Sequence, residues 1–269
     1  MPGILLTGAK GFLGSRIAAQ LVVTAAPSLQ GMTREAVMRM VEDHAPEVII
    51  HTAAISDIGV CERQPEDSWH ANVELPLWLA SAARNCKLVM LSTDQVYSAC
   101  PEAGPYTEDQ VCPGNTYARH KLEMENRVLD IAPDAVLLRA TWMYDMPLYG
   151  AKNRGNFLVN MLEAAARGGE VSFSSGQYRG ITYAREVAGY MAAACQLPGG
   201  VYNFGSENPL SAYDTARYLR DALQLNVRLT DVPPRHNLWM NCDKLRQAGI
   251  AFSSTVEGLE RCLQDYGLR

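Results

Sequence analysis

The residues of this chain with the plainest chemical use are Tyr117 and Lys121, in the run Tyr117-Ala118-Arg119-His120-Lys121. A spacing of four sets both side chains on one helix face. Among the 12 tyrosines only Tyr117 has a lysine at that spacing. An ammonium beside a phenol favours the phenolate and lowers a tyrosine pKa from its ordinary ~10. Such a tyrosine can hand a proton to a developing alkoxide near neutral pH. An exposed tyrosine beside an exposed lysine reads the same way in one dimension. A second group, Ser92-Thr93-Asp94, follows the apolar run 87–91 directly. A hydroxyl past the C-terminal end of a strand stands where open α/β sheets bind ligands, within reach of a substrate carbonyl oxygen. Capping of the next turn accounts for the same three residues. The third group is Thr7-Gly8-Ala9-Lys10-Gly11-Phe12-Leu13-Gly14. Glycines at this spacing, between a strand and a helix, let the backbone approach a pyrophosphate whose charge rests on the helix N-terminus.

These groups need a scaffold, and the pattern supplies one. Continuous apolar runs at 3–6, 47–51, 87–91 and 135–139 read as strands, with helical patterns at 12–21 and 34–44. This alternation predicts a parallel α/β sheet covered on both faces. The stretch between residues 14 and 46 is short for two helices and two strands, so a second strand, read at 21–24, is compressed. From about 145 to 180 the chain reads as loops rich in Gly, Asn and Ser. A helix over 184–195 and a strand over 200–204 return to the sheet. A helix over 212–223, a short strand near Val227 and a closing helix over 256–265 follow. The expected division is a dinucleotide-binding domain of residues 1–144, joined by 180–204, and a substrate lobe of 145–179 with 205–269.

Composition removes several alternatives. At 269 residues, 48% hydrophobic and 20% charged, the chain can build a core and is not disordered. A net charge of −5 with no basic run argues against nucleic acid and against an anionic membrane as partners. No apolar run approaches ~18 residues, so no membrane span is expected. A motif beginning at residue 7 leaves no room for a signal peptide. Seven scattered cysteines without a CxxC pair point to reduced thiols and a cytoplasmic setting. The five histidines are dispersed, and no metal is expected.

Taken together, the glycine loop, the Ser92-Thr93-Asp94 edge and the Tyr117/Lys121 pair resemble the extended short-chain dehydrogenase/reductase superfamily. Within it the chain is most similar to the dTDP-4-dehydrorhamnose reductase family of sugar-nucleotide reductases. The resemblance runs through Ala53-Ala54, Cys61-Glu62, Pro65 and Asn72, then Arg139-Ala140-Thr141-Trp142-Met143-Tyr144 and Gly155-Asn156-Phe157. It continues through Gln177-Tyr178, Thr182, Pro234-Arg235-His236-Asn237 and Asp243-Lys244-Leu245. Gly176 and Ile181 depart from it, standing where the family has Asp and Pro. Gln95 stands where the related sugar-nucleotide dehydratases carry a Glu.

The resemblance implies a Rossmann-type, doubly wound parallel sheet with a small C-terminal substrate lobe. It implies hydride transfer from a nicotinamide cofactor to the 4-keto group of a nucleotide-linked deoxysugar. Tyr117 is then the general acid, Lys121 lowers its pKa and holds the nicotinamide ribose, and Thr93 hydrogen-bonds the carbonyl oxygen. Gly8, Lys10, Gly11, Phe12, Leu13, Gly14, Ala53, Ala54 and Ser92 fall to the cofactor, together with Tyr117 and Lys121. Asp94, Trp142, Asn156 and Arg235 fall to the substrate. No acidic residue lies between Gly14 and Arg34, and Lys10 sits inside the glycine loop. An acid after the second strand would bind ribose hydroxyls and repel a 2′-phosphate, so NADP(H) is expected over NAD(H). A homodimer is compatible with this reading, and no residue decides it. Two rival readings are a sugar-nucleotide epimerase or dehydratase and a non-catalytic cofactor-binding subunit resembling the methionine adenosyltransferase regulatory β subunit. The missing Glu argues against a dehydratase, and the intact Tyr117/Lys121 pair argues against a non-catalytic subunit.

Overall fold

The structure, a computed structural model, describes residues 3–148, 155–234 and 236–269. Its first half runs β1 (Ile4–Thr7), α1 (Phe12–Gln20), β2 (Thr24–Ala25), α2 (Arg34–His44), β3 (Val48–His51), α3 (Ile58–Arg63), α4 (Pro65–Trp69), α5 (Leu75–Ala82), β4 (Lys87–Thr93) and α6 (Thr116–Ile131). A π-helical turn, His70–Glu74, joins α4 to α5. The second half runs β5 (Val136–Ala140), β6 (Trp142–Tyr144), α7 (Phe157–Ala166), β7 (Glu170–Phe173), β8 (Ile181–Tyr183), α8 (Ala184–Ala194) and β9 (Gly200–Phe204). It closes with α9 (Ala212–Ala222), β10 (Arg228–Asp231), α10 (Asp243–Gln247) and α11 (Thr255–Asp265).

Six parallel strands form the central sheet, in the order β2-β1-β3-β4-β5-β9. Successive side chains of a strand face opposite ways, so each continuous apolar run feeds two cores. Leu5, Ile49, Leu88, Met90 and Leu137 pack on one face with Val37, Leu79, Met124 and Val128 of the helices. Leu6, Ile50, Val89, Val136 and Leu138 pack on the other with Leu13, Ile17, Val187 and Met191. The fold is therefore three-layered and doubly wound, as the alternation predicts. The chain leaves β1 for β2 on one side and returns to β3 on the other. That reversal is the topological switch point, beside which such sheets bind ligands at the C-terminal strand ends.

Two expectations need correction. The second strand is Thr24–Ala25 rather than 21–24; it pairs with Leu5 and Leu6, and both its residues are exposed. The cause is Leu21, which still caps α1 by donating its N–H to Ile17, so too little chain remains for a longer edge strand. Among the described residues no strand lies outside β2. Residues 145–180 are not loops throughout, because they hold α7 and β7. Asn156 starts α7 by accepting from the Val159 N–H, and Phe157, Leu158 and Met161 bury its apolar face. β6 pairs with β8, and β7 with β10. These elements enclose a separate core of Tyr144, Phe157, Tyr183, Leu219 and Leu259. Leu245 and Ile250, near α10, pack instead with the sheet.

Candidate active site

Strand ends build the site. β1 ends at Thr7 opposite His51, and β4 ends at Thr93 opposite Ala140. The glycine loop leaves β1 through Gly8 at φ +72°, a left-handed conformation that glycine adopts without strain. A Cβ on Gly8 would stand 2.7 Å from Thr52 Oγ1, and one on Gly14 2.1 Å from the Gly8 carbonyl oxygen. Gly11 donates its N–H to that same carbonyl at 2.8 Å. The loop is thus folded as tightly as glycine allows, and no side chain caps the first turn of α1. Its open N–H groups and small radius fit a dinucleotide's pyrophosphate. Lys10 is exposed on the loop. Asn72, buried in the π-helical turn, donates to the Ile55 carbonyl at 2.9 Å and so fastens the segment after Ala53 and Ala54.

Helix α6 carries Tyr117 and Lys121 and packs on β4. Asn115 caps it through the Ala118 N–H at 2.8 Å, and Glu62 accepts from the N–H and hydroxyl of Thr116 at 2.7 and 2.8 Å. Both residues of the pair are buried, Lys121 to 2% exposure. Among the described residues the Lys121 ammonium has no hydrogen-bond or ion-pair partner. Burial brings its pKa down to about 8, against the pull of Glu125 and the Cys61 thiol. Its charge is also felt by His51, which burial, with that charge, holds down to about 3. His51 shares a hydrogen bond between Nδ1 and the Thr7 hydroxyl at 2.7 Å, and its Nε2 has no partner among the described residues. An ammonium on a nearly buried lysine beside a neutral imidazole fits the hydroxyls of a nicotinamide ribose.

The hydroxyls at the β4 edge have divided roles. Ser92 donates to Glu125 and so turns toward helix α6. Thr93 accepts from the Gln95 N–H at 3.2 Å, which caps the following turn, and its hydroxyl lies 3.4 Å from Asp94. The capping explanation of this segment therefore holds for Thr93, whose proton goes to Asp94 in that long bond. Asp94 is buried and accepts from Arg179 at 2.7 Å. Burial raises its pKa, and Arg179 and the neighbouring hydrogen bonds oppose that rise.

On the lobe side, the Arg179 guanidinium lies 5.6 Å from the Trp142 ring centroid. A ligand approaching that face of Trp142 meets the arginine. Asn156 is 3% exposed, with its oxygen capping α7 and its amide donating to the Asp145 carbonyl at 2.8 Å. Arg235 lies outside the described residues. Among the described residues no cluster of metal-ligating side chains forms. No helix among them is long and apolar enough to cross a membrane.

The profile of the RmlD substrate binding domain family matches residues 1–247. The chain belongs to this family. Its curated relatives include the dTDP-4-dehydrorhamnose reductase of Burkholderia thailandensis, 31% identical over 77% of this chain and 74% of that one. Another is the probable dTDP-4,6-dihydroxy-2-methyloxan-3-one 4-ketoreductase of Streptomyces antibioticus, 30% identical over 86% of this chain and 78% of that one. The structure of the Bacillus anthracis dTDP-4-dehydrorhamnose reductase in complex with NADP superposes with a TM-score of 0.87, covering 98% of this chain and 99% of that one at 21% identity. The fold of this RmlD-family chain is thus the fold of those enzymes.

Sequence reasoning missed three groups in this RmlD-family site. Arg179 was passed over because nothing local marks an arginine in a glycine-rich loop; only the fold brings it to Asp94. His51 stands in an apolar strand run with nothing local to mark it, yet its Nε2 has no partner among the described residues. Glu125 carried a signal that was overlooked, since it stands four residues past Lys121 on the same helix face.

Proposed function

We propose that the protein is an NADPH-dependent reductase of a nucleotide-linked 4-keto-deoxysugar, in the manner of the dTDP-4-dehydrorhamnose reductases. The observation that carries this reading is Lys121, 2% exposed and without a hydrogen-bond partner among the described residues, one turn beyond Tyr117 on α6. A buried charge left unpaired costs several kcal/mol, so such a group is held for a ligand that hydrogen-bonds it. The names of both curated relatives share a dTDP sugar and reduction at its 4-position, which supports the substrate class.

In this reading NADPH supplies the hydride when bound. Gly8, Gly11, Phe12, Leu13 and Gly14 hold its pyrophosphate, Ala53 and Ala54 line the nicotinamide edge, and Lys10 meets the 2′-phosphate. Lys121 donates to the nicotinamide ribose and its charge favours loss of the Tyr117 proton. Tyr117 protonates the oxygen that was the 4-keto group, while the Thr93 hydroxyl shares its growing negative charge. Ser92 acts from behind, through Glu125 and helix α6. Trp142, Arg235 and the Asp94–Arg179 pair border the sugar nucleotide, and Asn156, its amide spent on the α7 cap and the Asp145 carbonyl, supports them from behind. Residues 1–144 with 180–204 hold the cofactor, and 145–179 with 205–269 hold the sugar. A cytoplasmic setting and the absence of nucleic acid as a partner belong to the same proposal.

The test is a spectrophotometric panel of NADPH and NADH, each with and without dTDP-linked and UDP-linked 4-keto sugars. NADPH oxidation in step with product is the expected result. Steady turnover of a nucleotide sugar without added cofactor points to an epimerase. Tight NADPH binding with no turnover on any of them points to a non-catalytic subunit.

A further inference from the structure

Away from the reacting groups lies a second concentration of buried charge, where the glycine-loop helix meets the lobe. Asp145 is 0% exposed and follows β6, the strand that carries Trp142. Its carboxylate takes the Arg16 guanidinium, itself 4% exposed, and the Tyr266 hydroxyl at 2.8 Å. Its backbone carbonyl accepts from Asn156 at 2.8 Å, at the start of α7. Arg16 donates through the same planar fork to the Phe12 carbonyl at 2.6 Å and the Met146 carbonyl at 2.9 Å. Its guanidinium also stands 4.0 Å from the Phe12 ring centroid. Phe12 opens α1, directly after the glycine loop.

We propose that Asp145 is a positioning residue that fixes the sugar-binding segments against the cofactor helix, so that hydride donor and acceptor meet at one separation. The proposal rests on the reductase reading given above. A buried ion pair adds little stability over a well-packed apolar pair, so stability alone is a weak reason for this one. Its geometry supplies another. An arginine fork is rigid and directional, and this one binds the first turn of α1 and the segment after Trp142 through one planar group. Asp145 extends the tie to α7 through Asn156 and to the end of α11 through Tyr266. Hydride transfer needs such a tie, because a misplacement of about 1 Å can cost about 10²-fold in rate.

The test compares the wild-type chain with the double variant Arg16→Met/Asp145→Leu, which removes both buried charges; Arg185, 3.9 Å from Asp145, is 40% exposed and keeps its bond to the Tyr266 hydroxyl at 2.7 Å. Amide hydrogen exchange is followed with and without NADPH. In the wild type, NADPH should slow exchange at residues 12–16 and also at 142–146. In the variant the slowing should stop at 12–16. In turnover the variant should lose roughly tenfold or more in kcat. Its KM for the sugar nucleotide should stay within about twofold, and the isotope effect with 4-deuterated NADPH should rise. A variant that merely folded less would lose kcat with no change in the isotope effect. If the double variant does not fold, Arg16→Lys, which keeps the charge but loses the fork, carries the same comparison. Protection that reaches 142–146 equally in variant and wild type overturns the proposal, and so does its absence there in the wild type. No protection at 12–16 in the wild type removes the cofactor reading itself, and this proposal with it.

Discussion

Two buried cations stand on neighbouring elements and are treated in opposite ways. Arg139, on β5, is 2% exposed and fully engaged. It donates to both oxygens of Glu125 at 2.6 to 3.2 Å, to the Tyr97 hydroxyl at 2.8 Å and to the Glu108 carbonyl at 2.6 Å. Tyr97 passes the chain on to Asn203 at 2.6 Å, reaching β9. Lys121, on α6, is equally buried and has no such partner among the described residues. One charge is complete without a ligand and the other is not. The difference separates a floor that holds strands together from the edge that the proposed function gives to the cofactor. Residue type alone does not draw that line; the count of partners does.

Breaking the floor should cost most. Arg139→Met strips the buried Glu125 carboxylate of its ion pair and leaves it only the Ser92 hydroxyl and the nearby charge of Lys121, and should lower stability by about 3–5 kcal/mol. Urea unfolding measures it. A loss under about 1 kcal/mol would mean that water reaches Glu125, and the contrast with Lys121 would fail. Breaking the edge should leave the fold intact. Tyr117→Phe should lower turnover by roughly 10²-fold or more, with NADPH affinity nearly unchanged. Lys121→Met should lower turnover and NADPH affinity together, and should not destabilise the protein, since it removes a buried charge. Steady-state kinetics with fluorescence titration of NADPH separates the two. A Phe variant with near-wild-type activity would remove Tyr117 as the proton donor.

A smaller effect is expected at the outer end of the cofactor. Lys10→Ala should weaken NADPH by roughly five- to thirtyfold and leave NADH unaffected, as expected for one charge-assisted hydrogen bond. Titration of both cofactors with both proteins decides it, and equal affinities in the wild type would sink the preference.

The smallest effects are in pH. Lys121 titrates at about 8 in the folded chain against an ordinary 10.5. NADPH affinity should therefore be flat below pH 8 and fall above it, as the ammonium loses its proton. The unfolded chain binds more protons between about pH 8 and 10.5, so this residue adds stability as pH rises through that window. His51, held near 3 against an ordinary 6.5, works in the same sense at lower pH. Its unfolded form takes up a proton that the folded form refuses, so stability falls as pH drops from about 6.5 toward 3. Urea midpoints across that range should flatten in His51→Gln. An unchanged slope would place the acid sensitivity on another group.

Much of this was legible in one dimension because it depends on local rules. Apolar runs with no polar alternation must be covered on both faces, so β1, β3, β4 and β5 and a parallel sheet covered on both faces follow from hydrophobicity alone, while the doubly wound order came with the family resemblance. The glycine loop is readable because only glycine accepts the close approach of Gly8 to Thr52 and of Gly14 to Gly8. Tyr117 and Lys121 are readable because a helix fixes which residues share a face. Helix α7 was not legible: its start depends on one Asn156 cap in a polar stretch, and its apolar face is defined only by the lobe core.

What the tertiary structure decided is where each charge finds its partners. Arg16 and Asp145 lie 129 residues apart in sequence, and Asp94 and Arg179 lie 85 apart. No local periodicity links such positions, because each pair is made by two elements that meet only after the sheet has formed. The same holds for Lys121. Its place beside Tyr117 is set by the pitch of a helix, but its burial is set by the packing of α6 on β4. In water the lysine would be an ordinary surface charge; the fold buries it and, among the described residues, gives it no hydrogen-bond partner.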